Sequence, residues 1–214
     1  YEDHYHGEAV LSIIAGKQDG DYIGSAHKAC FHLLRTEDVF SESIVEEYYW
    51  VAAAEYADSA GVDIINTSLG YTEFDDSTQN HTYSDLDGKT TPAAIGSNYA
   101  SLKGILCVTS AGNSGSSPWK YISTPADADS ILTVGAVNVF GQRANFSSIG
   151  PSFDGDVKPN IMSVGWDTYF LAPLSNESIT GNGTSFSAPM MTGMAACLWQ
   201  AFPELTNMQL IHLI

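Results

Sequence analysis

Basic residues are scarce in this chain: Lys plus Arg number 8 against 25 Asp plus Glu, a formal net charge of −17 at pH 7. Such a balance repels phosphate backbones and anionic lipid surfaces, which argues against nucleic acid or membrane as a partner. The acidic excess reads as solubility rather than as a site for basic substrates. Cysteine is scarce too. Cys30, Cys107 and Cys197 are odd in number and lie in apolar runs, which predicts buried free thiols instead of a disulfide framework. No apolar run reaches the roughly 18 to 20 residues of a bilayer span, and no charged leader precedes one. Linkers, repeats and low-complexity tracts are missing. The 214 residues, 44% hydrophobic, therefore predict one α/β domain with a sizeable core.

The densest chemistry lies in Asn182-Gly183-Thr184-Ser185-Phe186-Ser187-Ala188-Pro189, which opens an apolar run to Ala201. A run that is apolar nearly all round predicts a helix packed inside the core. A serine at its start, with helix N–H groups and the positive dipole end beside it, reads as a nucleophile or as an ordinary N-cap.

From the other end, Asp3-His4-Tyr5-His6-Gly7-Glu8 leads into Ala9 to Gly16. The spacing predicts a short helix ended by Gly16, with His6 at its start and Glu8 in the first turn, where a carboxylate suits the dipole. His6 reads as a base or as half of a His4-x-His6 metal pair, and that pair lacks further ligands at suitable spacing. Ala29 to Leu34 predicts a short buried strand. Ser43 to Glu46 predicts a capping box opening a helix, with Tyr49, Ala52, Ala53, Tyr56, Ala57 and Ala60 inward and Gly61 ending it. Val62 to Asn66 predicts the next strand, giving a unit of the kind that builds a parallel sheet.

Tyr71 to Thr91 is a polar loop in which Asp85-Leu86-Asp87-Gly88 resembles the start of a calcium loop, but no acidic residue closes the pattern. A structural calcium at Asp85 and Asp87 competes there with a solvated acidic loop. Thr91 and Pro92 open a helix to about Lys103. Gly104 to Ser110 and Ser130 to Val137 predict strands, and Asn207 a cap for a final helix. Ser68-Leu69-Gly70 and Ala111-Gly112-Asn113 then both follow strand ends, where open parallel sheets gather ligands.

Taken in order, His6-Gly7, Ser68-Leu69-Gly70, Ser110 to Asn113, Ala144 to Pro151 and Gly183 to Pro189 resemble the subtilisin-like serine peptidases over essentially the whole chain. The resemblance implies a three-layer α/β fold with a mostly parallel sheet flanked by helices. It implies a serine endopeptidase acting on extended polypeptides without a cofactor, with Ser185 as nucleophile, His6 as base and Asn113 with the Ser185 N–H as oxyanion hole. Ser68, Leu69 and Gly70 become the edge that pairs with substrate, while Ala111 and Gly112, opposite Thr124 and Pro125, wall the specificity pocket. The Thr124–Pro125 bond matches the family's cis-proline site.

The family's triad runs Asp, His, Ser, and its Asp sits on a strand before the His motif. Asp3 is too near His6 along the chain to be that residue. The expectation is that residues 1–214 form a single domain incomplete at its N-terminus and at its C-terminus, nearly inactive alone. The strand carrying the aspartate would lie between Ala29–Leu34 and Val62–Asn66, and a propeptide or that absent segment becomes a partner. A catalytically inactive peptide-binding domain is the alternative, and a calcium-dependent structural module stands behind both. Glu8, where the family usually has threonine, either raises the pKa of His6 or only improves the helix start. The short Lys17–Tyr22 segment lacks the loop that binds calcium in some relatives. The family implies a secreted, extracytoplasmic protein, read as unglycosylated despite sequons such as those at Asn80, Asn176 and Asn182.

Overall fold

Two runs, Leu106–Ser110 and Leu132–Val137, are buried on both faces along almost their whole length, which marks them as central strands of a parallel sheet. The computed structural model describes residues 4–175 and 177–214, so Asp3 and the sequon asparagine Asn176 lie outside the described residues. In chain order the elements are α1 (Tyr5–Ala15), a small hairpin of β1 (Lys17–Gln18) and β2 (Tyr22–Ile23), α2 (Val45–Ala60), β3 (Ile64–Thr67), α3 (Pro92–Leu102), β4 (Leu106–Ser110) and β5 (Leu132–Val137). They continue with β6 (Ile161–Val164), the antiparallel pair β7 (Thr168–Leu171) and β8 (Ser178–Gly181), α4 (Thr184–Ala201) and α5 (Asn207–Leu213).

The sheet order is β3-β4-β5-β6, all parallel. Side-chain alternation sorts the core into two faces. Leu106, Val108, Leu132 and Val134 meet Ala188, Met191 and Ala195 of α4, with Trp199, Ile211 and Ile214 at the margin. Cys107, with Ile105 and Ile131, meets Ala94 and Ala100 of α3 on the other face. Helices on both faces make the expected three-layer α/β architecture. Leu106→Ala, at a residue with no exposed surface, is expected to lower the unfolding free energy by about 2–5 kcal/mol, read from the urea midpoint. A loss below about 1 kcal/mol would mean that this face of the sheet repacks freely.

Local signals explain most boundaries. Thr91 accepts the Ala94 N–H and Pro92 fills the first turn of α3. Gly61, with φ of 74°, ends α2. Helices α2 and α3 pack closely because Gly96 has no side chain: a Cβ there would lie 2.9 Å from Val51 Cγ2 and 3.3 Å from Trp50 Cζ3.

Several expectations are corrected. Ala29–Leu34 forms no strand and lies exposed, Leu33 at 71%. The sheet ends at β3, so among the described residues nothing beside this run supplies ladder partners. The face of α2 turned inward is Glu46, Glu47, Trp50, Ala54 and Ala57, whereas Tyr49 and Tyr56 are half exposed. The two buried carboxylates are paid for by partners: Glu47 takes the Ala93 N–H and faces His81, and Glu46 takes the N–H groups of Asp38 and Ser43. The Ser43 bond is the one half of the expected capping box that forms. Of the three thiols only Cys107 is buried, and burial pushes it up to about 12. Cys30 shares the exposure of its run, and Cys197 lies on the outer side of the second half of α4. Thr206, not Asn207, caps α5; the Asn207 amide instead donates to Ser101 and Ile105 carbonyls across the core.

Candidate active site

Ser185 is the second residue of α4, and its position follows from the turn before it. Gly183 stands at the N-cap, and Thr184 N–H donates to Asn113 Oδ1 at 2.9 Å. The Thr184 hydroxyl donates to the same oxygen at 3.0 Å and accepts from the Gly112 N–H at 3.1 Å. Thr184, completely buried, therefore clamps the end of β4 to the start of α4. Sequence reasoning passed over it; its place beside the serine in a helix first turn was the available signal.

With Oδ1 occupied, the amide nitrogen of Asn113 is the end left to donate. A Cβ built on Gly183 would lie 3.8 Å from Asn113 Nδ2 and 3.7 Å from Ser185 N, so the two nitrogens border one small volume that the glycine leaves open. In the first turn of a helix the Ser185 N–H has no intrahelical acceptor. Two nitrogen donors around one volume at a positive dipole end suit an oxygen that gains negative charge.

The hydroxyl of Ser185 donates to the Ser68 carbonyl at 3.2 Å, and the Ser68 hydroxyl donates back to the Ser185 carbonyl at 2.9 Å. Asn66 Nδ2 donates to Ser68 Oγ at 3.1 Å, and Thr192 Oγ1 donates to Asn66 Oδ1 at 2.9 Å. Neither Asn66 nor Thr192 stood out in the sequence. Beyond Ser68, the partly exposed Leu69 and the exposed Gly70 run into an antiparallel bridge between Tyr71 and Thr124, with N···O distances of 2.8 and 3.2 Å. A Cβ on Gly70 would sit 2.1 Å from Ser123 Oγ, so a larger residue there requires the Ser123 side chain to turn away. Ser123 N–H donates to Ala111 O at 3.4 Å, and Ser148 N–H to Gly112 O at 3.0 Å. Tyr71 and Ala111 thus both lean on the 123–124 backbone, and Gly112 on Ser148. Thr124 and Pro125 are buried and joined by a cis peptide bond, so they meet this region through backbone rather than open side chains.

His6 arrives from α1. It precedes Ala9, Val10 and Ile13 by three, four and seven residues, so it shares their helix face. That face packs on the start of α4, Ala9 and Ile13 clustering with Phe170 and Phe186. The His6 residue as a whole is exposed, yet crowding on one side of the ring lowers its pKa by desolvation. The shift runs opposite to the rise that a Glu8 charge on His6 would produce. Among the described residues no carboxylate pairs with His6. The lowered pKa sets the sign of a stability effect in residues 1–214: with the folded pKa depressed, the unfolded chain binds the proton first, and stability falls as pH drops through about 6.5.

Asp85 and Asp87 do not join the site. Asp85 accepts the Thr82 N–H and hydroxyl, both at 2.7 Å, and these bonds, the backbone one foremost, hold its pKa below the usual range. Asp87 accepts from the Lys89 N–H and the Thr90 hydroxyl. Among the described residues, the carboxylates close enough to share an ion are Glu37 with Glu42 and Glu46, and Asp129 with Asp154 and Asp156. No described helix is long and apolar enough to cross a membrane.

The family model described as subtilase family (Peptidase S8) matches residues 1–214. The chain is 36% identical over 161 residues to subtilisin DY of Bacillus licheniformis, covering 74% of this chain and 50% of that protein. It is 30% identical over 215 residues to the minor extracellular protease Epr of Bacillus subtilis strain 168, covering 98% of this chain and 28% of that one. The self-cleaved protease domain of PatA superimposes with a TM-score of 0.75 at 25% identity, over 95% of this chain and 71% of the PatA domain. The chain spans about half the length of the curated subtilisins it matches.

Proposed function

The chain belongs to the subtilase family, and from that premise we propose that it is the larger part of a serine endopeptidase domain. The observation that carries the reading is that Asn113 Nδ2 and the Ser185 nitrogen border one open volume at the start of the helix that carries Ser185. In the reaction, Ser185 Oγ attacks the scissile carbonyl while His6 takes its proton. The carbonyl oxygen, now negative, falls to Asn113 and the Ser185 N–H. His6 then gives the proton to the leaving amine as the C–N bond breaks, and water releases the acyl group from Ser185. No cofactor enters these steps.

The aspartate that orients His6 is supplied, in this reading, by a segment outside residues 1–214. In subtilisin itself the loss of that aspartate costs about 3 × 10⁴ in turnover, so residues 1–214 alone are nearly inactive. An extended peptide lies along Ser68–Gly70, with the side chain before the scissile bond entering between Ala111–Gly112 and the 123–125 backbone. Secretion is supported by the extracellular naming of the Epr relative and by the need to keep a broad peptidase away from cytosolic protein.

The second reading, a peptide-binding domain without catalysis, is favoured by one observation: His6 has no carboxylate partner among the described residues. A fluorophosphonate probe decides between them. Covalent labelling of Ser185 in the protein that carries this chain is expected. Absence of label, under conditions where a related peptidase reacts, would leave the binding domain.

A further inference from the structure

Helix α4 carries a proline in its second turn, and that proline leaves the nucleophile's own carbonyl without a helical partner. Pro189 is four residues after Ser185 and has no N–H, so the bond that would close on Ser185 O cannot form. Its ring also crowds that carbonyl. A helix start weakened in this way is a poor platform for a side chain that must be held to within a fraction of an ångström.

The vacant place is filled from the neighbouring strand. Ser68 Oγ donates to Ser185 O at 2.9 Å. In this arrangement Asn66 Nδ2 donates to the same hydroxyl at 3.1 Å, which leaves the Ser68 proton for Ser185 O. Asn66 is held in turn by Thr192 Oγ1 at 2.9 Å, and Thr192 lies on α4 itself, its single hydroxyl proton shared between Asn66 Oδ1 and Ala188 O, the latter at 3.0 Å. The chain of bonds leaves α4 at Thr192, crosses to β3 and its exit, and returns to α4 at Ser185. We infer that Ser68 is a positioning residue for the nucleophile: its hydroxyl replaces the helix hydrogen bond that Pro189 removes, and so fixes the turn from which Ser185 Oγ projects.

The inference rests on Ser185 being the nucleophile and differs from a substrate-edge role for Ser68, which would use its backbone and show in KM. The test uses the active protein that carries this chain. Ser68→Ala is expected to slow fluorophosphonate labelling of Ser185, and kcat on a peptide substrate, by about tenfold, with KM moved less than about twofold. Pro189→Ala puts an N–H back opposite Ser185 O. In the Ser68→Ala background it is expected to restore labelling to within about threefold of the wild-type rate, a rescue that loss of a merely structural contact would not give. Labelling of Ser68→Ala at the wild-type rate overturns the assignment, as does a double variant no faster than Ser68→Ala alone. Should Pro189→Ala lose its cooperative thermal transition, Ser68→Thr decides. It keeps a hydroxyl and is expected to label within about threefold of wild type, and labelling as slow as Ser68→Ala overturns the assignment. Failure of the nucleophile reading looks different: wild-type protein that does not label, or label that persists in Ser185→Ala.

Discussion

Ser185→Ala is expected to lower turnover by about 10⁶-fold and to abolish fluorophosphonate labelling in the active protein. The size is that measured for the nucleophile of subtilisin, about 2 × 10⁶ in turnover, and is carried to this chain by family membership. The geometry says why the loss should stop there. Removing the hydroxyl leaves Asn113 Nδ2 and the backbone N–H of residue 185 in place, because the first is held by Thr184 and the second by α4. A residual rate of about 10³ to 10⁴ over water is therefore expected, supplied by oxyanion stabilisation and binding alone. His6→Ala is expected to cost about as much, and the double variant little more than either, since the two groups act as one unit. A double variant whose loss is the product of the singles would mean that His6 and Ser185 work independently, and the proposed proton transfer between them would be wrong.

The second large effect is at Asn113. Asn113→Ala is expected to cut kcat by about 10²- to 10³-fold with KM nearly unchanged, a magnitude taken from the corresponding donor of subtilisin. The split follows from what the amide meets: a flat carbonyl lies short of the donors, and only the tetrahedral oxygen reaches them. A peptide boronate, which mimics that tetrahedral state, should lose affinity in parallel with kcat. A smaller structural cost accompanies it, because Thr184 N–H and hydroxyl both lose their acceptor. Thermal unfolding is expected to register roughly 1 kcal/mol for that loss. If KM rises while kcat stays, Asn113 is a substrate contact instead of an oxyanion donor.

Most of what positions the site could be read from residues a few places apart. Thr91 and Pro92 announce α3, Gly61 ends α2, and the apolar run after Ser185 becomes a helix whose first half is buried all round. Strands β3, β4 and β5 fell within a residue or two of where their apolar runs placed them. What was not legible depended on partners far along the chain. Glu46 and Glu47 look like an exposed helix face, and only the Ala93 N–H, His81 and the loop at Asp38 make their burial affordable. Ala29–Leu34 has the composition of a strand, but a strand is a relation between two segments, and no described neighbour completes it. Asn207 reads as a cap from its place in the sequence, yet its amide serves carbonyls a hundred residues earlier. In the site, Ser185, Asn113 and His6 carried their own signals, whereas Thr184, Asn66 and Thr192 act by holding other groups and carried little.

The packing of α1 against α4 joins the two ends of the described chain, and this bears on the order in which the molecule is completed. Strands β3 to β6 pair each with the next along the chain, so the sheet can assemble through successive short closures. The seam between α1, which carries His6, and α4 is the opposite case, since it must wait for nearly the whole sequence to be in hand. A half-folded chain can therefore hold its sheet and the bridge between Tyr71 and Thr124 while α1 is still undocked. The docking of α1 on α4 is then a late step of folding, and it is the step on which the position of His6 depends.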